Sequence, residues 1–316
     1  MRAWLQLGPL VLGTACVVVD EGPAPERPRC PGGAYRAAAM EADVAWLASP
    51  ELDGRYPGSY GDLSARELIA ERFDCLGLAS FVGAPDYHQA FTDAEGNETG
   101  NVLAYMPGEG AHADDLIVVS AHTDHFGDGR LGANDDASGL AGLMAIAQAF
   151  SEGRAPDRSV LFAAFGAEES GFEGSEHLME HPPTGLDPQD IVYNVNMDMI
   201  GSYDSTALVY ALGTFRGTPG RAAVDAAVGD YPDLDVSVGD WSDLSDHVSF
   251  CARGIGYVFL WTEDLACYHK RCDTADAVDY PHMVQIAQLT GDVTAGLARS
   301  ATDLRVQVTP GRDVCE

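Results

Sequence analysis

The sequence predicts an α/β protein with a mostly parallel central sheet that helices cover on both faces. Short apolar runs with the length of buried strands lie at 116–120, 159–165, 191–199 and 255–261. Apolar residues at helical spacing lie around them, at 37–48, 62–76, 137–150 and 281–300. Strands that alternate with helices form parallel sheets, because each helix crosses over and packs on a sheet face. Such folds bind ligands at the carboxyl ends of their strands, so a functional site is expected there.

The composition is that of an acidic globular protein. The chain has 316 residues, 46% of them hydrophobic, and 49 acidic against 18 basic residues give a formal charge of -31. This length suits one large domain or two small ones, and no strong linker interrupts residues 39–302. The negative charge excludes nucleic acid and anionic lipid surfaces as partners.

The amino terminus has the pattern of an export signal. Residues 1–16 have a basic start, an apolar run and small residues before Cys16. Cys16 is a candidate for the lipidated cysteine of a bacterial lipoprotein, although Gly13 stands where such signals carry leucine. The proline-rich residues 17–34 are predicted to form a flexible tether, and 35–316 a single domain. We therefore expect an outer-membrane or cell-surface lipoprotein, a periplasmic protein or a secreted one, with a lipid anchor as its only membrane contact.

Export permits disulfides. Setting Cys16 aside leaves six of the 7 cysteines. Cys267 and Cys272 are close enough in sequence to close a small loop. The other four allow three pairings, and a bond between Cys30 and Cys315 would tie the two ends of the domain together.

Side chains that bind metals follow the first two predicted strands. His122 and Asp124 end the first strand, and residues two apart on a strand face the same side. Asp124 could therefore hold one imidazole nitrogen of His122 while the other binds a metal. The following segment, 132–139, carries Asp135 and Asp136 at the start of a helix, where they would act as a helix cap or as metal ligands.

The remaining strands and a cysteine-flanked loop add further candidates. Glu168 and Glu169 directly follow the second strand. Asp198 lies within an apolar run, where a buried carboxylate needs a cation or strong hydrogen-bond donors. Because basic residues are few, a metal is favoured at Asp198. Tyr268 and His269 lie between the two cysteines of the small loop.

In this order, the motifs resemble the M28 family of zinc aminopeptidases over most of the chain, and the cysteine-flanked loop resembles its secreted bacterial members. Further segments that carry the resemblance lie at 52–55, 58–59, 71–78, 101–104 and 273–274. The resemblance implies a three-layer α/β/α fold of the zinc-exopeptidase (phosphorylase/hydrolase-like) type, with a mostly parallel mixed central sheet.

The resemblance also implies two Zn²⁺ per chain. Their ligands would be His122, Asp135, Glu169, Asp198 and His269. Asp135 would bridge the two ions, with His122 and Asp198 completing one and Glu169 and His269 the other. A cis peptide bond is implied after Asp135.

The same resemblance assigns the catalytic roles. Glu168 would be the general base for a hydroxide that bridges the metals, and Tyr268 would stabilise the tetrahedral oxyanion. The predicted function is release of amino-terminal residues from peptides or proteins by a monomeric enzyme. Residues 202–244 show the least regular pattern and are expected to contribute to the wall of the substrate pocket.

Two other polar segments are not assigned to catalysis or to metal binding. Ser245, Asp246 and His247 do not form a hydrolase triad, because three neighbours in sequence rarely point at one another. His247 is therefore expected to be structural or to line the pocket. His125 is expected to make loop contacts rather than to bind a metal.

Three alternative functions remain open at the level of sequence. A glutaminyl-cyclase-like relative would use one zinc ion on the same fold. A carboxypeptidase-like relative would attack the opposite end of the substrate. A binding protein without activity usually lacks ligands, whereas all five ligands and the base are present in this sequence.

Overall fold

The computed structural model describes residues 26–27, 30, 32–239 and 242–305. The predicted export signal at 1–16, including Cys16, lies outside the described residues, as do Cys315 and most of the predicted tether. Within the described part of the chain, no helix combines the length and the apolar character that crossing a membrane requires.

The described residues form one eight-stranded mixed sheet, with strand order β1-β2-β4-β3-β5-β8-β6-β7. The strands are β1 (His88–Thr92), β2 (Glu98–Met106), β3 (Leu116–His122), β4 (Ser159–Phe165), β5 (Ile191–Met197), β6 (Val209–Leu212), β7 (Val236–Val238) and β8 (Gly256–Trp261). The central neighbours β4, β3, β5 and β8 run parallel, as do β6 and β7. Antiparallel pairs join β1 to β2, β2 to β4 and β8 to β6. The predicted mostly parallel mixed sheet is confirmed.

The helices pack on both faces of this sheet. They are α1 (Ala37–Leu47), α2 (Tyr60–Cys75), α3 (Gly139–Glu152), α4 (Glu173–Glu180), α5 (Tyr203–Thr206), α6 (Pro219–Ala227), α7 (His247–Cys251) and α8 (Tyr280–Ala298). In β3, Ile117 and Val119 face a core shared with α1, α2, α3, α6 and α8, whereas Leu116 and Val118 face a second core shared with α4 and α7. This alternation along a buried strand produces the three layers.

The predicted element boundaries differ from the observed ones mainly near the site. The strand at 159–165 has the predicted limits, but β3 continues to His122 and β5 already ends at Met197. Helix α3 begins at Gly139, after a separate π-helical turn over Ala133–Ser138. Strands β1 and β2 were not predicted, and the irregular stretch 202–244 contains α5, β6, α6 and β7.

The disulfides confirm one predicted pair and correct another. Cys267 is bonded to Cys272, as predicted. Cys30 is bonded to Cys75, with 6.2 Å between their Cα atoms, so the predicted bond between Cys30 and Cys315 is wrong. The segment before α1 runs beside α2, where Arg27 pairs with Glu71, and this brings Cys30 to the end of α2. Cys251 is also disulfide-bonded.

Candidate metal centre

The sheet brings the predicted ligands together because β4, β3 and β5 are parallel neighbours. Strand β3 ends at His122, β4 leads into Glu168 and Glu169, and Asp198 directly follows β5. Their carboxyl ends therefore meet at one edge of the sheet. The turn at 133–138 and the disulfide-closed loop add Asp135 and His269 to the same place.

The first group consists of His122, Asp135 and Asp198. His122 Nε2 lies 3.1 Å from Asp135 Oδ1 and 3.4 Å from Asp198 Oδ1, and all three residues are buried. Two tetrahedral ligands of one zinc ion, each about 2.0–2.1 Å from it, lie about 3.3 Å apart. The spacing of the first group therefore suits a zinc ion.

The second group consists of His269, Asp135 and Glu169. His269 Nε2 lies 3.2 Å from Asp135 Oδ2 and 3.4 Å from Glu169 Oε2. Asp135 thus turns one carboxylate oxygen to each group. This is the arrangement that a carboxylate bridging two metal ions requires.

Unpartnered atoms at the centre also fit bound cations. His122 Nε2, Asp135 Oδ2 and Glu169 Oε1 are buried without a hydrogen-bond partner among the described residues. Leaving such atoms unpaired costs about 1–3 kcal/mol each, and more for charged groups. Nitrogen and carboxylate ligands together suit zinc better than magnesium or calcium, which prefer oxygen alone.

The carboxyl groups are strongly perturbed when no cation is present. Burial, together with the charge of Asp135, raises the pKa of Glu169 to about 10. Burial also raises the pKa of Glu168 well above its usual range. By contrast, the pKa of Asp135 is lowered, because its contacts with His122 and His269 outweigh its burial. A divalent cation would favour the ionised form of each carboxylate.

A buried carboxylate, Asp136, connects three of the segments that form the centre. Its Oδ2 accepts a hydrogen bond from the His122 amide at 3.2 Å, and its Oδ1 accepts from the amides of Gly139 at 2.9 Å and Met199 at 3.2 Å. The peptide bond between Asp135 and Asp136 is cis, as the family resemblance implied. Asp136 therefore positions the neighbouring ligands through their backbone.

Asp124 has two roles, and the structure refines the predicted one. His122 Nδ1 lies 3.1 Å from the carbonyl oxygen of Asp124, whereas the carboxylate oxygen is 3.7 Å away. The carboxylate instead accepts hydrogen bonds from the amides of Glu168 at 2.9 Å and Glu169 at 3.2 Å. Asp124 thus orients the imidazole mainly through its backbone and the two glutamates through its side chain.

Two positioning residues were not recognised as such from the sequence. Asp273 accepts from the amides of Asn134 at 2.7 Å and Asp135 at 3.1 Å. Arg55 is completely buried and donates to the carbonyl oxygens of Leu47, Thr123, Leu131 and Gly132. Both lie in segments that carry the family resemblance, which was the available signal. Their hydrogen bonds connect segments far apart in sequence, so the roles needed the tertiary structure.

A cavity of about 240 Å³ opens beside both groups. Glu168 lines it, and its side chain is nearly buried. Leu244, Phe259 and Trp261 form an apolar wall. Tyr268 lies at the rim, 48% exposed, with its ring 3.7 Å from that of His269 between centroids.

The remaining polar candidates take up the following positions. His247 stacks on Tyr257 and Phe259, and its Nε2 lies 2.8 Å from the carbonyl oxygen of Ser242. Ser245 Oγ accepts a hydrogen bond from Asn196, so the structure also opposes a triad with His247. His125, for which loop contacts were expected, lies within the second group, with Nδ1 2.7 Å from Glu169 Oε1.

Solved structures with a similar fold include proteins of different activity. A zinc aminopeptidase from Bacillus subtilis superposes with a TM-score of 0.70 at 16% identity, covering 86% of this chain and 97% of its own. A glutaminyl cyclase from Bacteroides thetaiotaomicron superposes with a TM-score of 0.66 at 17% identity, covering 85% and 99%. At this level of identity the likeness shows the zinc-exopeptidase fold alone.

Sequence relationships are more specific. An aminopeptidase from Pseudomonas aeruginosa is 30% identical over 209 residues, which cover 56% of this chain and 37% of the relative. The chain thus spans well under half the length of this curated relative. The model of peptidase family M28 matches residues 101–294, the segment that contains all five predicted metal ligands. With this match over more than half of its length, the chain belongs to peptidase family M28.

Proposed function

We propose that the protein is a zinc-dependent aminopeptidase that releases amino-terminal residues from peptides or proteins. The observation that carries the proposal is Asp135, which turns one oxygen to each of two ligand groups beside a cavity lined by Glu168. Family membership and the aminopeptidase relative support the same activity.

The proposed ligands would hold two zinc ions. His122 and Asp198 would hold one, Glu169 and His269 the other, and Asp135 both. When bound, the ions would lower the pKa of an attacking water and polarise the peptide carbonyl. The chain's own contribution is to keep four of these ligands, all but His269, nearly buried and to orient His122 and Glu169 through Asp136 and Asp124.

Glu168 is the proposed general base. Its backbone is held by Asp124, and its carboxylate lines the cavity without being one of the five ligands. It would take the proton from the attacking water and then deliver it to the leaving amine, as a single positioned carboxylate can do in both steps. Burial raises the pKa of Glu168 in the metal-free protein. The same burial favours the protonated carboxyl group and so helps Glu168 to keep the transferred proton until the amine leaves.

Tyr268 is the proposed donor to the oxyanion. Burial and the surrounding carboxylates, Asp135 first among them, raise the pKa of Tyr268 above its usual value. The hydroxyl therefore keeps its proton at neutral pH and can donate a hydrogen bond to the developing negative charge.

The cavity favours the amino end of a substrate. In addition to the ligands, Glu168, Glu263 and Asp264 line it. These carboxylates attract an α-ammonium group and repel a terminal carboxylate, which opposes the carboxypeptidase-like alternative. The wall formed by Leu244, Phe259 and Trp261 suits an apolar first side chain.

The test is hydrolysis of a leucine chromogenic amide by the purified protein, with bound zinc counted. We expect two zinc ions per chain, cleavage of the free amine but not of its N-acetyl form, and a loss of kcat of roughly 10²–10⁴-fold in Glu168→Gln with zinc retained. Glu67→Gln, an exposed change on α2, is the matched control and should behave as the wild type.

The other outcomes separate the alternatives. One zinc ion with cyclisation of amino-terminal glutamine would establish a glutaminyl cyclase. Two zinc ions with cleavage only at free carboxyl ends would establish a carboxypeptidase. Failure to bind zinc after reconstitution would overturn the proposed mechanism and leave a binding protein on this fold.

A further inference from the structure

His125 lies inside the second ligand group without belonging to the five proposed ligands. Its ring is completely buried, and Nδ1 lies 2.7 Å from Glu169 Oε1 and 3.7 Å from Asp135 Oδ2. The ring also makes edge contacts with Phe126 and His269, at centroid distances of 5.2 Å and 5.9 Å. The proposed function does not account for a buried imidazole in contact with one of the proposed ligands.

The distances distinguish a ligand from a residue that holds a ligand. Pairs of atoms that share a tetrahedral zinc ion lie about 3.3 Å apart, and the four ligand pairs at the centre lie between 3.1 and 3.4 Å. The contact of His125 with Glu169, at 2.7 Å, is shorter than all of them. The two atoms are thus in direct contact, closer than a shared zinc ion would hold them.

The two carboxylate oxygens of Glu169 face different imidazoles. Oε2 lies 3.4 Å from His269 Nε2, and Oε1 lies against His125 Nδ1. The His125 contact is an ion-pair contact without the alignment of a full hydrogen bond, and neither atom has a hydrogen-bond partner among the residues that the structure describes. The longer contact of Nδ1 with Asp135 Oδ2, at 3.7 Å, is its other one. Oε1 is thus available to His125 while Oε2 is available to a metal.

The backbone around His125 holds the ring in place. Gly132 has a φ of 65°, and a Cβ added to it would lie 2.7 Å from His125 Cγ. The turn before the π-helical segment therefore packs directly against the imidazole. Such close packing limits the rotation of the ring away from Glu169.

We propose that His125 is a positioning residue whose Nδ1 holds Glu169 Oε1 in place. Oε2 is then the single oxygen that Glu169 offers to the second metal ion. Polar groups that hold a ligand in this way typically change metal affinity by roughly 10–100-fold when removed. The inference rests on the proposed function, because it requires an ion between Glu169 and His269.

The test measures metal affinity rather than turnover. The full chain is loaded with Co²⁺, and chelator competition and visible absorption are recorded for the wild type, His125→Ala, His125→Asn and His282→Ala. His282 is the matched control, because its Nδ1 lies 2.6 Å from Asp279 in an imidazole–carboxylate pair at the start of α8, outside the ligand groups.

We expect His125→Ala to keep the first ion and to bind the second roughly 10–100-fold more weakly. His125→Asn should restore most of this affinity, since an asparagine amide nitrogen can donate from nearly the position of Nδ1. His282→Ala should bind both ions as the wild type does.

Several results would overturn the proposal. Unchanged affinity for both ions in His125→Ala would show that the contact positions nothing. An asparagine variant as weak as the alanine variant, with an altered cobalt absorption, would make His125 a ligand instead. If His125→Ala does not fold, the affinity of His125→Asn for the second ion tests the proposal, because this variant retains a donor near the position of Nδ1. Affinity close to that of the wild type is then expected, and a clearly weaker affinity would overturn the proposal. A wild-type chain that does not bind a second ion would overturn the proposed function itself.

Discussion

Buried charged groups have different partners at the amino ends and at the carboxyl ends of the central strands. At the amino ends of β3 and β4, the buried Arg158 lies 3.2 Å from Asp115 and donates to the carbonyl oxygens of Leu297, Ser300 and Thr302. Each charged group there has a partner within the protein. At the carboxyl ends, the buried carboxylates face imidazoles and one another.

Arg55 makes the contrast sharper. It is buried against the segments that carry the carboxyl-end cluster, but its guanidinium donates to carbonyl oxygens and not to a carboxylate. Buried charges without partners are costly. The buried carboxylate at the amino ends is therefore paired with arginine, whereas the carboxylates at the carboxyl ends have no arginine partner among the described residues, which fits the proposed bound cations.

Metal removal acts on the carboxyl ends of the strands and should have the largest effect on activity and stability. Chelation is expected to abolish peptidase activity and to lower the free energy of unfolding by about 4 kcal/mol for each ion that was present at a thousandfold excess over its Kd. Zinc should restore both. Activity and urea unfolding, measured before chelation, after it and after reconstitution, test the prediction.

The metal-free protein should also lose stability as the pH rises from 7 to 9. Burial raises the pKa of Glu169 to about 10, far above its value in an unfolded chain, and the charges of Asp198 and Glu168 raise the pKa of His122 despite its burial. The folded state then binds more protons than the unfolded state, so stability decreases with pH. The zinc-loaded protein is the control and should show a smaller slope. An equal slope in both forms would contradict the assignment of these groups to the metals.

A smaller effect is expected at the amino ends of the strands. Arg158→Met leaves Asp115 with Arg305, at 2.9 Å, but removes the donor to three carbonyl oxygens, and it should cost about 1–3 kcal/mol of unfolding free energy with zinc content unchanged. Arg55→Met is the comparison, because it should lower both stability and zinc content. Urea unfolding and metal analysis of both variants test the prediction, and a parallel loss of zinc in Arg158→Met would remove the contrast between the two ends.

The smallest effect is expected from Asp124→Asn. The new amide can accept from only one of the Glu168 and Glu169 amides, so we expect the second ion to bind roughly tenfold more weakly. Asp93→Asn is the matched control, since Asp93 Oδ1 also accepts two backbone amides, from Glu95 and Asn97, in a loop outside the ligand groups. Chelator competition measures both. Equal affinities in the two variants would show that Asp124 does not support the ligands.

Apolar runs predicted the buried part of the sheet well and its edges poorly. Strand β4 has every residue but its first buried, so its continuous apolar run stands out, whereas β7 is partly exposed throughout and has only three residues. The edge strand β1 alternates in burial but is short and begins at a half-exposed histidine. Their pairing with neighbours, rather than their own sequences, makes these segments strands.

The amino-acid sequence by itself determined the α/β class, the central strands and the residues that meet at their carboxyl ends. Those properties follow from local apolar patterns and from the rule that parallel strands end at one edge. The tertiary structure decided the partner of Cys30, the backbone contacts of Asp124 and Arg55, and the place of His125 beside Glu169. These contacts join segments far apart along the chain, and their geometry exists only after the sheet and its loops have packed.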